Sequence, residues 1–290
     1  MDLVPSQLAA LLAIADHGTF DAAARHLHVT PSAVSQRIRA LESQVGRVVV
    51  QRTTPCRPTA EGEVLLRLAR QVQLLQDEVG GELGATEPGG RSVVDLPVAV
   101  NADSLATWFR GVVADVATWD AVALRLHVED QAFSAGLLRS GDVLAAVTSE
   151  PTAVQGCSVE RLGTLRYVPA ATAGLAQRWR RGRRPDWSAM PVVVFNEKDD
   201  LQHEVLRGRG VAAPPVAHRV PTSADFAEAV RLSLGWGMIP EPQLDASLVP
   251  LVRGLHVDVA LHWQRWRLDS PVLDRLTDVV RRSAARTLRR

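Results

Sequence analysis

Ser32, Ser35, Gln36 and Arg39 are spaced so that they share one face of an α-helix. Their chemistry is that of hydrogen bonding to nucleic-acid edges. A glutamine amide pairs bidentately with adenine, a guanidinium with guanine or a phosphate, and serine hydroxyls with either. Ser43 continues the polar face, while Val34, Ile38, Leu41 and Val45 make the opposite one apolar, so one side can anchor the helix while the other is presented. Thr30 and Pro31 give it a strong start, because the threonine oxygen caps free amides and proline at the first position loses no hydrogen bond. An ordinary solvated helix face would carry the same residue types.

A second set of residues is acidic. Asp103, Glu129, Asp130, Glu150 and Asp225 each follow a predicted strand or open a predicted helix, and clustered carboxylates there would suit a cationic ligand. Ser104, Thr148, Thr222 and Ser223 stand among them, where helix-start amides could hold a carboxylate. A zwitterion with a basic side chain would match both features. Aspartate and serine also cap helices for stability alone, so each residue has that second explanation.

The elements that must position the first set form a small module over residues 1–58. Leu8, Leu11, Leu12 and Ala15 line a first helix ended by Gly18, and Thr19 caps a second built from Ala22, Ala23, Ala24 and Leu27. After Gly46 the β-rich run to Val50 and the following Arg57-Pro58 predict a two-stranded wing that carries Arg52 and Arg57 to the flanks of a groove. Between Ala22 and Ala60 there are six arginines and one acid, Glu42, although the whole chain carries only +1. Such a basic island is what phosphate contact by one small module needs.

From Thr59, Leu65, Leu68, Val72, Leu75 and Val79 follow with gaps of three and four, the seam of a coiled coil, so residues 59–90 are predicted to be a dimerising linker helix and hinge. Packing on the chain's own core would leave the same pattern. Residues 91–290 alternate apolar strands with helical stretches, the rhythm of an α/β domain with largely parallel sheets. One lobe takes residues 91–162 and 254–290, the other 163–253. The Arg178–Arg184 segment fits none of these patterns and is expected to be a solvated loop.

Other function classes lack their residues. Cys56 and Cys157 do not form a metal or disulfide framework, the histidines at 203, 218, 256 and 262 accompany no nucleophile motif, and no phosphate-cradling glycine loop is present. The chain is therefore expected not to be an enzyme and to need no cofactor or metal. With no apolar run of about 18 residues and no export signal, it is expected to be cytoplasmic, without a membrane partner.

The run Phe20-Asp21-Ala22-Ala23-Ala24-Arg25-His26-Leu27, with Thr30-Pro31-Ser32-Ala33-Val34-Ser35-Gln36-Arg37-Ile38, Leu41-Glu42 and Thr59-Ala60-Glu61-Gly62, resembles the winged helix-turn-helix and linker of LysR-type transcriptional regulators. Asn101 to Trp108, Phe195-Asn196 with Lys198 to Gln202, Ser223 to Phe226 and Gly235 to Pro240 are similar to the LysG/ArgP subgroup. The resemblance implies a two-lobed, periplasmic-binding-protein-like effector domain, a homodimer or dimer of dimers on double-stranded DNA, and RNA polymerase as a further partner. It also implies a lysine or arginine effector and control of a basic amino-acid exporter gene. Some members of the subgroup act instead as inhibitors of replication initiation, so a ligand-independent chromosome-binding protein is the alternative.

Overall fold

The computed structural model describes residues 2–83, 93–128, 134–197 and 200–290. The chain begins with three helices, α1 (Pro5–His17), α2 (Phe20–His26) and α3 (Pro31–Val45). Their ends are written locally. Gly18 and Gly46 take left-handed φ values of 72° and 69°, and the hydroxyls of Thr19 and Thr30 accept the backbone N–H of Ala22 and Ala33. Leu11, Ile14, Ala23, Val34, Ile38 and Leu41 meet in a dry core, where each large side chain contributes roughly 1.5–3 kcal/mol. The short strands β1 (Val50–Gln51) and β2 (Arg57–Pro58) pair antiparallel beside them.

Helix α4 (Ala60–Glu82) leaves this module under a tight constraint. Thr59 donates its hydroxyl to the Val48 carbonyl and accepts the Gly62 N–H at 3.0 Å. A Cβ on Gly62 would stand 2.0 Å from the Val49 carbonyl oxygen, so only glycine lets the helix lie this close to the wing. Farther along, Glu78 accepts from the Ser270 hydroxyl at 2.7 Å and the Val272 N–H at 3.1 Å, which ties α4 to the last helix of the chain.

The remaining elements are β3 (Val94–Val100), α5 (Ala102–Ala106), α6 (Arg110–Val116), β4 (Val122–Val128), α7 (Ser134–Ser140), β5 (Ala145–Thr148) and β6 (Cys157–Thr172). Then come α8 (Ala173–Arg178), β7 (Arg180–Arg181), β8 (Arg184–Pro185), β9 (Val192–Val194), α9 (Leu201–Arg207), β10 (Ala217–Arg219) and α10 (Ser223–Arg231). The chain ends with β11 (Gly237–Pro240), a 3₁₀ turn at Glu241–Gln243, β12 (Leu248–Pro250), β13 (Val257–Trp266) and α11 (Pro271–Thr287).

Strands β4, β3 and β5 run parallel, as do β9 and β10, but β13, β6, β11 and β12 join antiparallel in one seven-stranded sheet. The expectation of largely parallel sheets therefore holds for β4–β3–β5 and for the separate β9–β10 pair and fails for the rest of the seven-stranded sheet. The cause is that β6 and β13 are long crossover strands, paired from Cys157–Trp266 to Tyr167–Val257, which carry the chain from one lobe to the other and back. At Gly163, with φ 147°, a Cβ would lie 2.7 Å from the Arg289 carbonyl oxygen, where the chain end straps the crossover through the Thr164–Arg289 bridge. One apolar cluster, including Leu96, Val98, Phe109, Tyr167, Trp236, Trp263 and Leu276, runs through both lobes and takes in Leu74 of α4. Cys157 is buried, and that burial pushes its thiol up to about 11.

Candidate functional site

Helix α3 sits with Val34, Ile38 and Leu41 fully buried, while Ser32, Gln36 and Arg39 are exposed and Ser35 is half-buried. The structure thus presents the predicted polar face outward, with Thr30 and Pro31 exposed at its start. Glu42 accepts the Val49 N–H at 3.1 Å, which fixes the wing against the same helix. On the wing, Arg52 and Arg57 are exposed. The Arg52 guanidinium lies 5.2 Å from the centre of the Phe20 ring, a stacking contact that aims it while leaving its donors free. These groups form a cationic, donor-rich surface suited to a nucleic-acid groove.

The second set is divided. Asp103, at the start of α5, accepts the Ser223 hydroxyl at 2.6 Å and the Tyr167 hydroxyl at 2.8 Å. One carboxylate thereby links the end of β3, the crossover strand and the start of α10. The Gln243 amide donates to the Ser223 oxygen at 3.3 Å and extends the cluster. Ser104 is wholly buried, and its hydroxyl has no hydrogen-bond partner among the described residues. Thr148 is buried and accepts the Glu150 N–H at 3.0 Å.

Glu150 is exposed and spends one carboxylate oxygen on the Thr152 N–H at 3.2 Å. Thr222 and Asp225 are exposed; Thr222 caps α10 by accepting the Asp225 N–H and donates its hydroxyl to the Asp225 carboxylate, which accounts for both without a ligand. Glu129 and Asp130 lie outside the described residues. Sequence reasoning missed Tyr167, Gln243, Gln202 and His262. Tyr167 is the chain's only tyrosine and is fully buried, and a phenol in that state needs a partner, which was the available signal. Gln202 is buried with its amide nitrogen donating to the Val193 carbonyl at 3.1 Å and its oxygen unpartnered among the described residues. His262, paired with Thr148 across β13 and β5, titrates below its ordinary range, first because of burial and then because of the nearby Arg161 cation.

The linker residues also divide. Leu68, Leu75 and Val79 are exposed and Val72 is half-buried, but Leu65 is buried in the three-helix core beside Leu66. Leu65 therefore does not belong to an outward seam. Its place is taken by the exposed Val64, so Val64, Leu68, Val72, Leu75, Val79 and Leu83 make the apolar stripe along α4.

Two family models match. The model for the bacterial regulatory helix-turn-helix protein, lysR family, covers residues 5–63, and the LysR substrate binding domain covers residues 96–285. The chain belongs to the LysR family of transcriptional regulators. As a LysR-family protein it is a DNA-binding regulator and not an enzyme, with α3 as the second helix of its helix-turn-helix and the crossover-linked lobes as its effector domain. It is 46% identical to the lysine export transcriptional regulatory protein LysG of Corynebacterium glutamicum over 98% of this chain and 99% of that one.

The solved structure of full-length LysG from C. glutamicum with bound effector Arg superposes with a TM-score of 0.83 at 44% identity, covering 99% of this chain and 100% of that one. ArgP from Mycobacterium tuberculosis superposes with a TM-score of 0.84 at 44% identity, with 98% of each chain covered. Among the described residues of this regulator no helix is long and apolar enough to cross a membrane.

Proposed function

We propose that this regulator senses lysine or arginine in the cleft at Asp103 and transmits its occupancy to DNA bound by α3 and the β1–β2 wing. The observation that carries the proposal is the Asp103 carboxylate, which at the start of α5 accepts the hydroxyls of Tyr167 on β6 and Ser223 at the start of α10, and so bridges the two lobes. An ammonium or guanidinium group entering there is attracted to that carboxylate and competes with the two hydroxyls for its lone pairs. The buried hydroxyl of Ser104 and the amide oxygens of Gln202 and Gln243 offer further polar partners. That LysG of C. glutamicum was solved with arginine bound supports the same ligand class here.

On the DNA side, Gln36, Arg39 and the serines Ser32 and Ser35 contact base edges, Thr30 and Pro31 fix the start of the reading helix, and Arg52 and Arg57 hold phosphates or the minor groove. Two copies pair through the apolar stripe of α4, which places two readers on adjacent half-sites, and two such dimers make the operator-bound assembly. The regulated gene encodes a basic amino-acid exporter, the protein acts in the cytoplasm, and RNA polymerase is its downstream partner. A thermal-shift series tests the effector: lysine or arginine raises the melting temperature and glutamate does not, because a ligand that binds only the folded state stabilises it. A melting temperature unmoved by every amino acid contradicts the sensing role and favours a ligand-independent chromosome-binding protein.

A further inference from the structure

Residues 178–184 hold five arginines, Arg178, Arg180, Arg181, Arg183 and Arg184, all exposed. The segment is an antiparallel hairpin, β7 and β8 joined through Gly182 at φ 61°, with Arg181 directly opposite Arg184. Like charges placed across a strand pair repel, and an anion between them removes the penalty. Among the described residues only Arg181 has a carboxylate, Asp186 at 2.7 Å. Among the described residues Arg178, Arg180, Arg183 and Arg184 form no ion pair.

The hairpin is rigidly mounted. Trp187 is buried in the main core and Trp179 packs on it, while the Asp186 N–H donates to the Trp179 carbonyl at 2.8 Å and closes the base. Arg178 lies over the Trp179 ring at 5.7 Å and Arg209 over the Trp187 ring at 5.2 Å. The backbone that carries these guanidinium groups is held at its base, and their forks match phosphate oxygens bidentately. Guanidinium as such does not discriminate among anions in this chain, because it has one lysine in all. What favours DNA is charge complementarity with the polyanion that the helix-turn-helix of the same chain binds, which offers this second cationic surface a dense row of phosphates.

We propose that the Arg178–Arg184 hairpin is an auxiliary, sequence-independent binding surface for the DNA phosphate backbone. It rests on DNA binding by α3 and the wing and adds affinity without adding sequence preference. The test uses the intact protein, an operator duplex and a random duplex, with affinity measured by fluorescence anisotropy over a salt series. In the triple variant Arg180→Gln, Arg183→Gln, Arg184→Gln the slope of log affinity against log salt becomes shallower by about 0.9 for each phosphate that is no longer neutralised, hence by about 2–3, and affinity for both duplexes falls. The corresponding Arg→Lys triple keeps the wild-type slope.

Arg183→Gln alone, at the hairpin turn, lowers the slope by about 0.9 and serves if the triple variant is destabilised. If the Gln variants keep the wild-type slope while the wild type still prefers operator, the role of the hairpin is overturned, the reader stands, and an acidic protein becomes the candidate partner. If the wild type does not distinguish operator from random duplex, the reader assignment fails as well.

Discussion

The Asp103 carboxylate accepts the Ser223 hydroxyl at 2.6 Å across 120 positions of sequence, from the start of α5 to the start of α10. A single hydrogen bond thereby clasps the two lobes on either side of the crossover strands, and Tyr167 on β6 holds the same carboxylate at 2.8 Å. A cation that takes Asp103 must displace or share these donors. In the proposed sensing role, a cation bound at Asp103 changes how the lobes meet.

Replacing Asp103 by Asn removes the charge and keeps the shape. A hydrogen bond to a charged group contributes about 1.5–3 kcal/mol, so affinity for arginine and lysine falls roughly ten- to a hundredfold. Calorimetric titration of the two amino acids into wild type and variant checks this, and equal affinities would remove Asp103 from the site.

The two parts of the reader separate by variant. Arg39→Ala and Gln36→Ala each weaken operator binding by about 1–3 kcal/mol and leave random duplex nearly untouched, as loss of base recognition requires. Arg52→Ala weakens binding to both duplexes, as loss of the proposed phosphate or minor-groove contact requires. Competition binding with both duplexes distinguishes the patterns, and an Arg52→Ala protein indistinguishable from wild type on both would exclude the wing.

The apolar stripe of α4 predicts an oligomeric phenotype. Leu75→Asp with Val79→Asp places two charges on exposed positions of that stripe and leaves the core residues Leu65, Leu66 and Leu74 in place. Sedimentation equilibrium should then show a monomer that retains the wild-type melting profile of its separate cores, whereas an unchanged oligomer would assign pairing to another surface.

Arg70 joins three parts of the molecule, lying 3.2 Å from Asp16 of α1 and bonded to Asp142 beyond α7. Burial pushes the Asp142 carboxyl up, but hydrogen bonds from Ser140 and Arg70 outweigh it and hold the group below the usual carboxylate range. A depressed folded-state value means the stabilisation is present above the unfolded value of about 3.9 and is lost as pH falls through the lower folded one. Arg70→Ala should therefore destabilise clearly at neutral pH and progressively less below about pH 4. Urea unfolding at several pH values measures it, and a pH-independent difference would show that Arg70 acts by packing alone.

The helix-turn-helix was legible because its boundaries are set by local chemistry. Thr19, Thr30, Thr59, Gly18 and Gly46 each make their capping bond within four residues of themselves, and the structure uses all five as caps. Asp103 was legible as a residue after an apolar strand, but its partners were not. Tyr167 and Ser223 reach it only through the crossover and the packing of α10 beside α5, which no short-range pattern encodes. Leu65 misled for a related reason, since gaps of three and four describe a helix facing its own core as well as one facing a partner. Strand direction in β6 and β13 was hidden because alternation of side chains is the same in parallel and antiparallel pairs.

The proposal that cleft occupancy is read out on DNA is tested most directly by footprinting of the intact protein on DNA upstream of its own and neighbouring genes, which measures both halves of that coupling at once. Protection is expected over paired half-sites, with boundaries that shift on adding arginine or lysine, not on adding glutamate, and with no shift in Asp103→Asn. A footprint identical under all these conditions, or no protection at all, would contradict it.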